Sequence, residues 1–339
     1  MRARAWMKGK GTCVLTVSLL LSLLSWSAQR ASANNTTFSG EATVVQATVL
    51  GLPPIVLSDT GALDSTGGAR EASLLDANVP GLLTAEVLHA STVGQGQRSS
   101  SEASVANVTL TVGGNTISAG LLRARATAEC HNGTASVSGS SEIVDLVVNG
   151  QAIVVSGQPN QTISLPVGRV IINEQQSSVS GNTGDITVNA LHVMVDGVAD
   201  VIISSAHADI TCGGPVCPGG DFVTGGGWIT GTPSGAKGTF GVAGGIKNGG
   251  LWGHLTYIDH GTNMKVKGTG VTAYTVTGPT TRHIEGTADI NGRSGSYQVD
   301  VSDNGEPGRN DMFSIMLSNG YSASGLLIGG NIQLHQPCK

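Results

Sequence analysis

Asp303, Glu306 and Asp311 fall within the nine residues DNGEPGRND, with Arg309 as the one basic residue among them. Carboxylates gathered around a Pro-Gly pair could hold a hard cation, because calcium takes several carboxylate and carbonyl oxygens. The spacing is not that of the helix-flanked calcium loop. It predicts at most a weak structural Ca²⁺ site on Asp303, Glu306 and Asp311, with no cofactor required elsewhere. The competing reading is a polar hairpin tip. Glu306-Pro307-Gly308-Arg309 suits a type II turn, in which proline fixes φ at the second position and glycine accepts positive φ at the third. Val299 and Val301 alternate before the loop, and Phe313, Ile315 and Leu317 after it. Two strands should therefore bring Asp303 and Asp311 together at its feet.

Other residues are weaker candidates. Ser234 and Lys237 in SGAK match Ser-x-x-Lys, but they follow Pro233 in a Gly-rich turn rather than starting a helix. His254 and His260 are six apart, which on a strand puts them on one face, with Asp259 on the other. His207 and Asp209 in HAD also share a face, and they read as structural. Asn173 and Glu174 follow the apolar run GRVII, where an isolated acid stands out. As a general acid, Glu174 would need a base or second carboxylate nearby in space. Trp228 and Trp252 could stack on a sugar ring, although a small Gly-rich domain also needs such side chains for its core. The sequence has no nucleophile elbow, phosphate loop or zinc-protease helix. No catalytic residue is assigned.

The elements that must position these residues are strands. Before them comes MRARAWMKGK, then the apolar run CVLTVSLLLSLLSWSA, then ASA at 31–33. That order predicts a secretory signal peptide over 1–33 and a mature chain from Asn34. Cleavage removes five of the 18 basic residues, leaving 13 against 23 acidic and a net charge near −10. With no basic patch, nucleic acid is an unsuitable partner. No long apolar stretch follows the signal, and NIQLHQPCK carries no hydrophobic tail. The expectation is a released protein, or one held at the cell surface by contacts with surface or matrix components.

Four cysteines remain after cleavage: Cys130, Cys212, Cys217 and Cys338. An even number in an exported chain points to two disulfides, with three pairings open. Cys130–Cys212 with Cys217–Cys338 is favoured, since each bridge then closes one compositional unit. Chain-entropy bookkeeping gives about 4.5 kcal/mol for the first loop. The units are marked by aromatic residues. None occurs between Ser39 and Val216, and nine follow from Cys217 onward. The boundary falls in the Gly/Pro-rich CGGPVCPGG, giving units 34–214 and 215–339.

Both units read as β. In the first, EASVANVTLTVGG, SEIVDLVVNGQAIVVSG and DITVNALHVMVDGVADVIIS repeat a strand–turn–strand pattern. Asn149-Gly150 and Asp196-Gly197 suit type I′ hairpin turns. GGAREASLLDANVPGLLTAEVLHA is split by Pro80-Gly81 and reads as short strands. The second unit holds more than half of the 50 glycines and about eight short strands. Two consecutive, hairpin-rich β-sandwich or barrel-like domains are predicted, with the second Gly-rich.

SGEATVVQATVLG, EVLHASTVG, ATAEC, PNQTISLP, INEQ, VNALHV and SAHADITC resemble the choice-of-anchor P domain of bacterial exported proteins. DFVTGGGWI, GTFGVAGG, VKGTGVTAY, DNGEPG and GGNIQLH resemble the domain that often follows it. Together these stretches span nearly the whole mature chain. The resemblance implies export and a surface or extracellular location, and brings no established activity or catalytic residues. The functional expectation is a structural, adhesive or interaction module. The alternative is a secreted hydrolase or glycan-binding protein acting through the second unit.

Overall fold

A computed structural model describes residues 35–214, 220–247 and 249–336. The signal segment 1–33, Cys217 and Cys338 lie outside the described residues. Among the described residues every regular element is a strand, as the alternating β-branched runs and Gly turns predict, and no helix is long and apolar enough to cross a membrane.

The chain before Cys212 forms fourteen strands: β1 (Thr37–Phe38), β2 (Glu41–Val49), β3 (Ile55–Asp59), β4 (Gly68–Val79), β5 (Leu83–Gln95), β6 (Arg98–Val112), β7 (Asn115–His131), β8 (Thr134–Val144), β9 (Val147–Val148), β10 (Gln151–Ala152), β11 (Gln161–Leu165), β12 (Gly168–Ser180), β13 (Thr183–Val195) and β14 (Ala199–Thr211). They make two seven-stranded sheets. The first runs β11-β12-β13-β14-β2-β3 with β1 on β14, and the second runs β10-β9-β7-β6-β5-β4 with β8 on β7. Alternate residues such as Val105, Leu122, Val188 and Ala206 are fully buried and belong to one core shared by both sheets. With no aromatic residue after Phe38, this core is built from Ala, Val, Leu and Ile, and side chains this small let the sheets face each other closely. Cys130, in β7, is bonded to Cys212, just past β14, with Cα atoms 5.6 Å apart. The bridge staples one sheet to the other.

The stretch around Pro80-Gly81 is strand on both sides, and the strands are longer than expected: β4 and β5 have 12 and 13 residues. Asn149 and Gly150 both take positive φ, as a type I′ turn requires. At Asp196-Gly197 only the glycine does, at 69°, and Val198 N donates to Val195 O across 2.9 Å. The Asp-Gly signal thus gave the hairpin but the wrong turn. Three residues separate the paired Val195 and Ala199, so the two-residue I′ geometry does not apply.

After Cys212 come β15 (Phe222–Ile229), β16 (Gly238–Lys247), β17 (Gly250–Asp259), β18 (Met264–Val276), β19 (Thr281–Ile290), β20 (Arg293–Ser302), β21 (Met312–Leu317), β22 (Ser322–Leu326) and β23 (Gly329–His335). They form one antiparallel nine-stranded sheet, in which β15 to β22 pair in sequence order and β23 returns to pair with β15. The sheet curls around its aromatic residues. Phe240 stacks on Phe313 at 3.9 Å between centroids, and Tyr257 and Tyr297 are buried beside them. At the seam with the sandwich, a Cβ on Gly226 would lie 2.7 Å from Ser104 Oγ, and one on Gly241 3.0 Å from His89 Cβ. Glycine in these strands serves close approach between the two halves.

Candidate functional site

The loop between β20 and β21 carries Asp303, Glu306 and Asp311. Its flanking strands pair as expected, Val301 opposite Phe313 and Val299 opposite Ile315. Its turn does not match the type II expectation. Gly308 lacks positive φ, while Gly305 has φ 99°, and the Glu306–Pro307 bond is cis. Gly308 is needed for space: a Cβ there would lie 2.5 Å from Asn331 Oδ1 and 2.7 Å from Asp311 Oδ2.

Each carboxylate has protein donors. Asp311, fully buried, accepts from the amides of Asn304 and Ile332, both at 2.8 Å. Asp303 accepts from Gly305 N at 3.1 Å and Leu334 N at 2.9 Å. Glu306 accepts from Asn331 Nδ2 at 3.2 Å and pairs with Arg125 of β7. Burial pushes the Asp311 carboxyl up, against the pull of its two amide bonds. Each of the three side chains is thus already bonded within the protein. They tie the loop to β23 and to the sandwich.

Arg125 belongs to a charged seam between the halves. Arg123, also on β7, pairs with Glu102 at 3.3 Å and Glu142 at 3.0 Å, and both it and Glu102 are largely buried. Glu142 also accepts from Gly330 N on β23 at 3.2 Å. Sequence reasoning missed these residues. Their partners lie tens to hundreds of positions away, and nothing local marks them.

The remaining candidates separate. Ser234 Oγ donates to Asp259 at 3.0 Å and Lys237 Nζ to Gly120 O at 2.9 Å, so SGAK forms no Ser–Lys dyad. His260 meets Glu86 at 3.4 Å and Thr239 Oγ1 at 3.1 Å, whereas His254 Nε2 is buried without a hydrogen-bond partner among the described residues. Glu174 does find a partner. Its carboxylate accepts from Asn189 Nδ2 at 2.7 Å and contacts His192 Nδ1 at 2.9 Å, while His192 Nε2 meets Asp200 at 3.0 Å. Both nitrogens of that imidazole are engaged by carboxylates, which leaves none for a reacting group.

The two tryptophans have different surroundings. Trp228 carries Lys237 Nζ 4.8 Å above its ring, and its indole nitrogen packs against Gly329. Trp252 lines a cavity of about 290 Å³ between the 63–70 segment and β15–β17. Phe222 meets Trp252 edge-on at 5.9 Å, and Ile246 adds apolar surface. Arg70 and Lys247 line the same cavity. Lys247 Nζ donates to Ala69 O and lies 5.5 Å from the Trp252 ring. Burial, and then the neighbouring Arg70 charge, push the Lys247 amine down. Asp64, also on the rim, is occupied by Thr66, whose amide and hydroxyl donate to it at 2.9 and 2.6 Å. The cavity therefore offers aromatic and apolar walls with two cations and one acid, Asp64, whose charge the Thr66 donors stabilise beside Arg70.

No family model matches the chain, and no curated protein matches it. Among solved structures it is similar to a Nitrosomonas europaea protein described as a putative AttH. The two share 7% identity over 89% of this chain and 93% of that one, with a TM-score of 0.20, a likeness that carries no argument about fold or function.

Proposed function

We propose that the protein is an exported, extracellular interaction module that holds an acidic sugar ring at the Trp252 cavity. The observation that carries the reading is the pairing of Trp252 and Phe222 with Arg70 and Lys247 around one cavity of about 290 Å³. A sugar ring presents an apolar face to an aromatic wall. A carboxylate or sulfate on the ring answers a pair of cations better than a neutral hydroxyl does. The volume lies just below the range of small-molecule pockets, about 300 to 1,000 Å³, so it suits one ring of a chain. Export is supported by the basic–apolar–ASA order of the first 33 residues, by the Cys130–Cys212 bridge, and by the resemblance to choice-of-anchor P proteins.

The rim pairs the Thr66 hydroxyl with Asp64 at 2.6 Å, but among the described residues no imidazole or second acid lines the cavity, and the module is read as a binder rather than a hydrolase. The test is titration of tryptophan fluorescence with oligogalacturonate and with the neutral galactose oligomer of equal length. Quenching by the acidic oligomer alone, lost in Trp252→Ala and weakened in Arg70→Ala, is expected. Equal quenching by both oligomers, or none by either, would reject the reading.

A further inference from the structure

A second arrangement lies on the outer face of the first sheet, on residues separate from the Trp252 cavity. Asp185 of β13 stands directly opposite Asp209 of β14, and His207 lies two residues before Asp209 on the same face. One donor atom from each of the three falls within 4.8 Å of the others. The residues between them, Ile186, Ala208 and Ile210, point into the core, so the strand period fixes all three side chains outward.

His207 differs from two other outward histidines, His192 and His283. Those two each bond a carboxylate through both ring nitrogens, at 2.7 to 3.2 Å. His207 uses Nδ1 for Thr187 Oγ1 at 3.1 Å, and its Nε2 stays 3.7 Å from Asp185 Oδ2. That distance is too long for a hydrogen bond. It is close to the ~3.4 Å that separates two ligands of a tetrahedral zinc ion with bonds near 2.1 Å. A hydrogen bond from the second ring nitrogen is what orients a metal-bound histidine.

The local charge has the same requirement. Glu41 of β2 lies opposite His207, and Asp59 of β3 lies opposite Thr43, two residues further on. Strands β2, β3 and β11–β14 carry a single basic residue, Arg169. Its partner Met194 is nine residues along β13 from Asp185, roughly 30 Å at 3.3 Å per residue. No cation of this sheet offsets the cluster.

We propose that Asp185, His207 and Asp209 form a site for a divalent transition-metal ion of the zinc class, oriented by Thr187. The imidazole selects this class over calcium, which prefers oxygen ligands alone.

The experiment uses the full exported chain without a histidine tag, dialysed against chelator. Zinc chloride is titrated calorimetrically, and cobalt chloride is followed by visible absorption. Wild type should bind one ion per chain and give the absorption of a low-coordinate cobalt centre. His207→Gln and Asp185→Asn/Asp209→Asn should each lose affinity by more than tenfold and lose that absorption, while Thr187→Val should lose about 10- to 100-fold in affinity. Calcium chloride should give no saturable heat at these residues. The variants replace half-exposed side chains on a sheet face, and a circular-dichroism melt in chelator confirms that each is folded. His131→Gln, at an exposed histidine elsewhere, should bind as wild type. Zinc bound with unchanged affinity by folded His207→Gln, or no saturable binding by wild type, would overturn the proposal.

Discussion

The amide of Ile332 donates to the Asp311 carboxylate across 2.8 Å, joining the β20–β21 loop to β23 from 21 residues away. The second oxygen takes the amide of Asn304, also at 2.8 Å. Replacing Asp311 with alanine strands two backbone donors, one of them buried, at a cost of about 1–3 kcal/mol for each unsatisfied group. Asp311→Asn keeps one acceptor and should lose less. Urea unfolding of both variants measures this, and equal losses would show that the one bond Asp311→Asn can keep contributes nothing.

The same loop should not need calcium. Asp303, Glu306 and Asp311 each already accept from protein donors, so a cation would have to displace amide and guanidinium partners. The expected result is one melting temperature in calcium chloride and in chelator. A rise with calcium that vanishes in Asp303→Asn/Asp311→Asn would reinstate the loop as a cation site.

What could be read locally was read well. Val301 and Phe313 pair because alternation on both sides of DNGEPGRND already marked two strands. The absence of aromatics from Ser39 to Val216 coincides with a change of sheet: every strand up to Thr211 lies in the sandwich and every strand from Phe222 in the curled sheet. Cys130–Cys212 follows the same compositional division. What stayed hidden depended on distant partners. Asp303 and Glu306 do repel the Asp311 carboxylate, but the amides of Ile332 and Leu334 that answer these acids approach only after β23 folds back onto β15. Trp252 gains one cation, Arg70, from β4, while the other, Lys247, comes from the end of β16 that pairs with the start of its own strand. His207 and Asp209 are neighbours in HAD, whereas Asp185 comes from β13, and only the strand register places it opposite Asp209.

Arg123 is the next test. Its guanidinium holds Glu102 and Glu142 at 3.3 and 3.0 Å in the buried seam. Arg123→Met fills similar volume but leaves two acids without their cation, which should cost roughly 3–5 kcal/mol. Arg123→Met/Glu102→Gln/Glu142→Gln removes the uncompensated charge and should recover part of that loss. Denaturant midpoints for the two variants decide it, and a triple variant no more stable than Arg123→Met would count against the electrostatic explanation.

Two buried histidines set the last prediction. His89 is almost fully buried, with Nδ1 2.9 Å from Ser73 Oγ and Nε2 without a hydrogen-bond partner among the described residues. His335 stacks on Phe222 at 4.6 Å and meets Thr224 Oγ1 at 3.0 Å. Burial pushes both imidazoles down to about 3, helped at His89 by His254 and at His335 by Arg98 and Arg125. A base whose folded value is depressed binds fewer protons in the native state than in the unfolded chain. Its contribution to stability is therefore complete above pH 6.5 and is lost as pH falls from 6.5 toward 3. The slope can reach about 1.4 kcal/mol per pH unit for each imidazole. Glu71, Glu102 and Asp311 work in the opposite sense. Burial raises each of them, so the folded state gains from their protonation as pH falls. Wild type alone therefore reports only the sum. The difference between wild type and a variant isolates each histidine, because the acids are common to both. Unfolding free energies at pH 7.5, 6.0 and 4.5 should fall less steeply in His89→Gln and in His335→Gln than in wild type. The shallowest line should belong to the double variant. Parallel lines for all four proteins would mean that neither imidazole is held neutral by the fold.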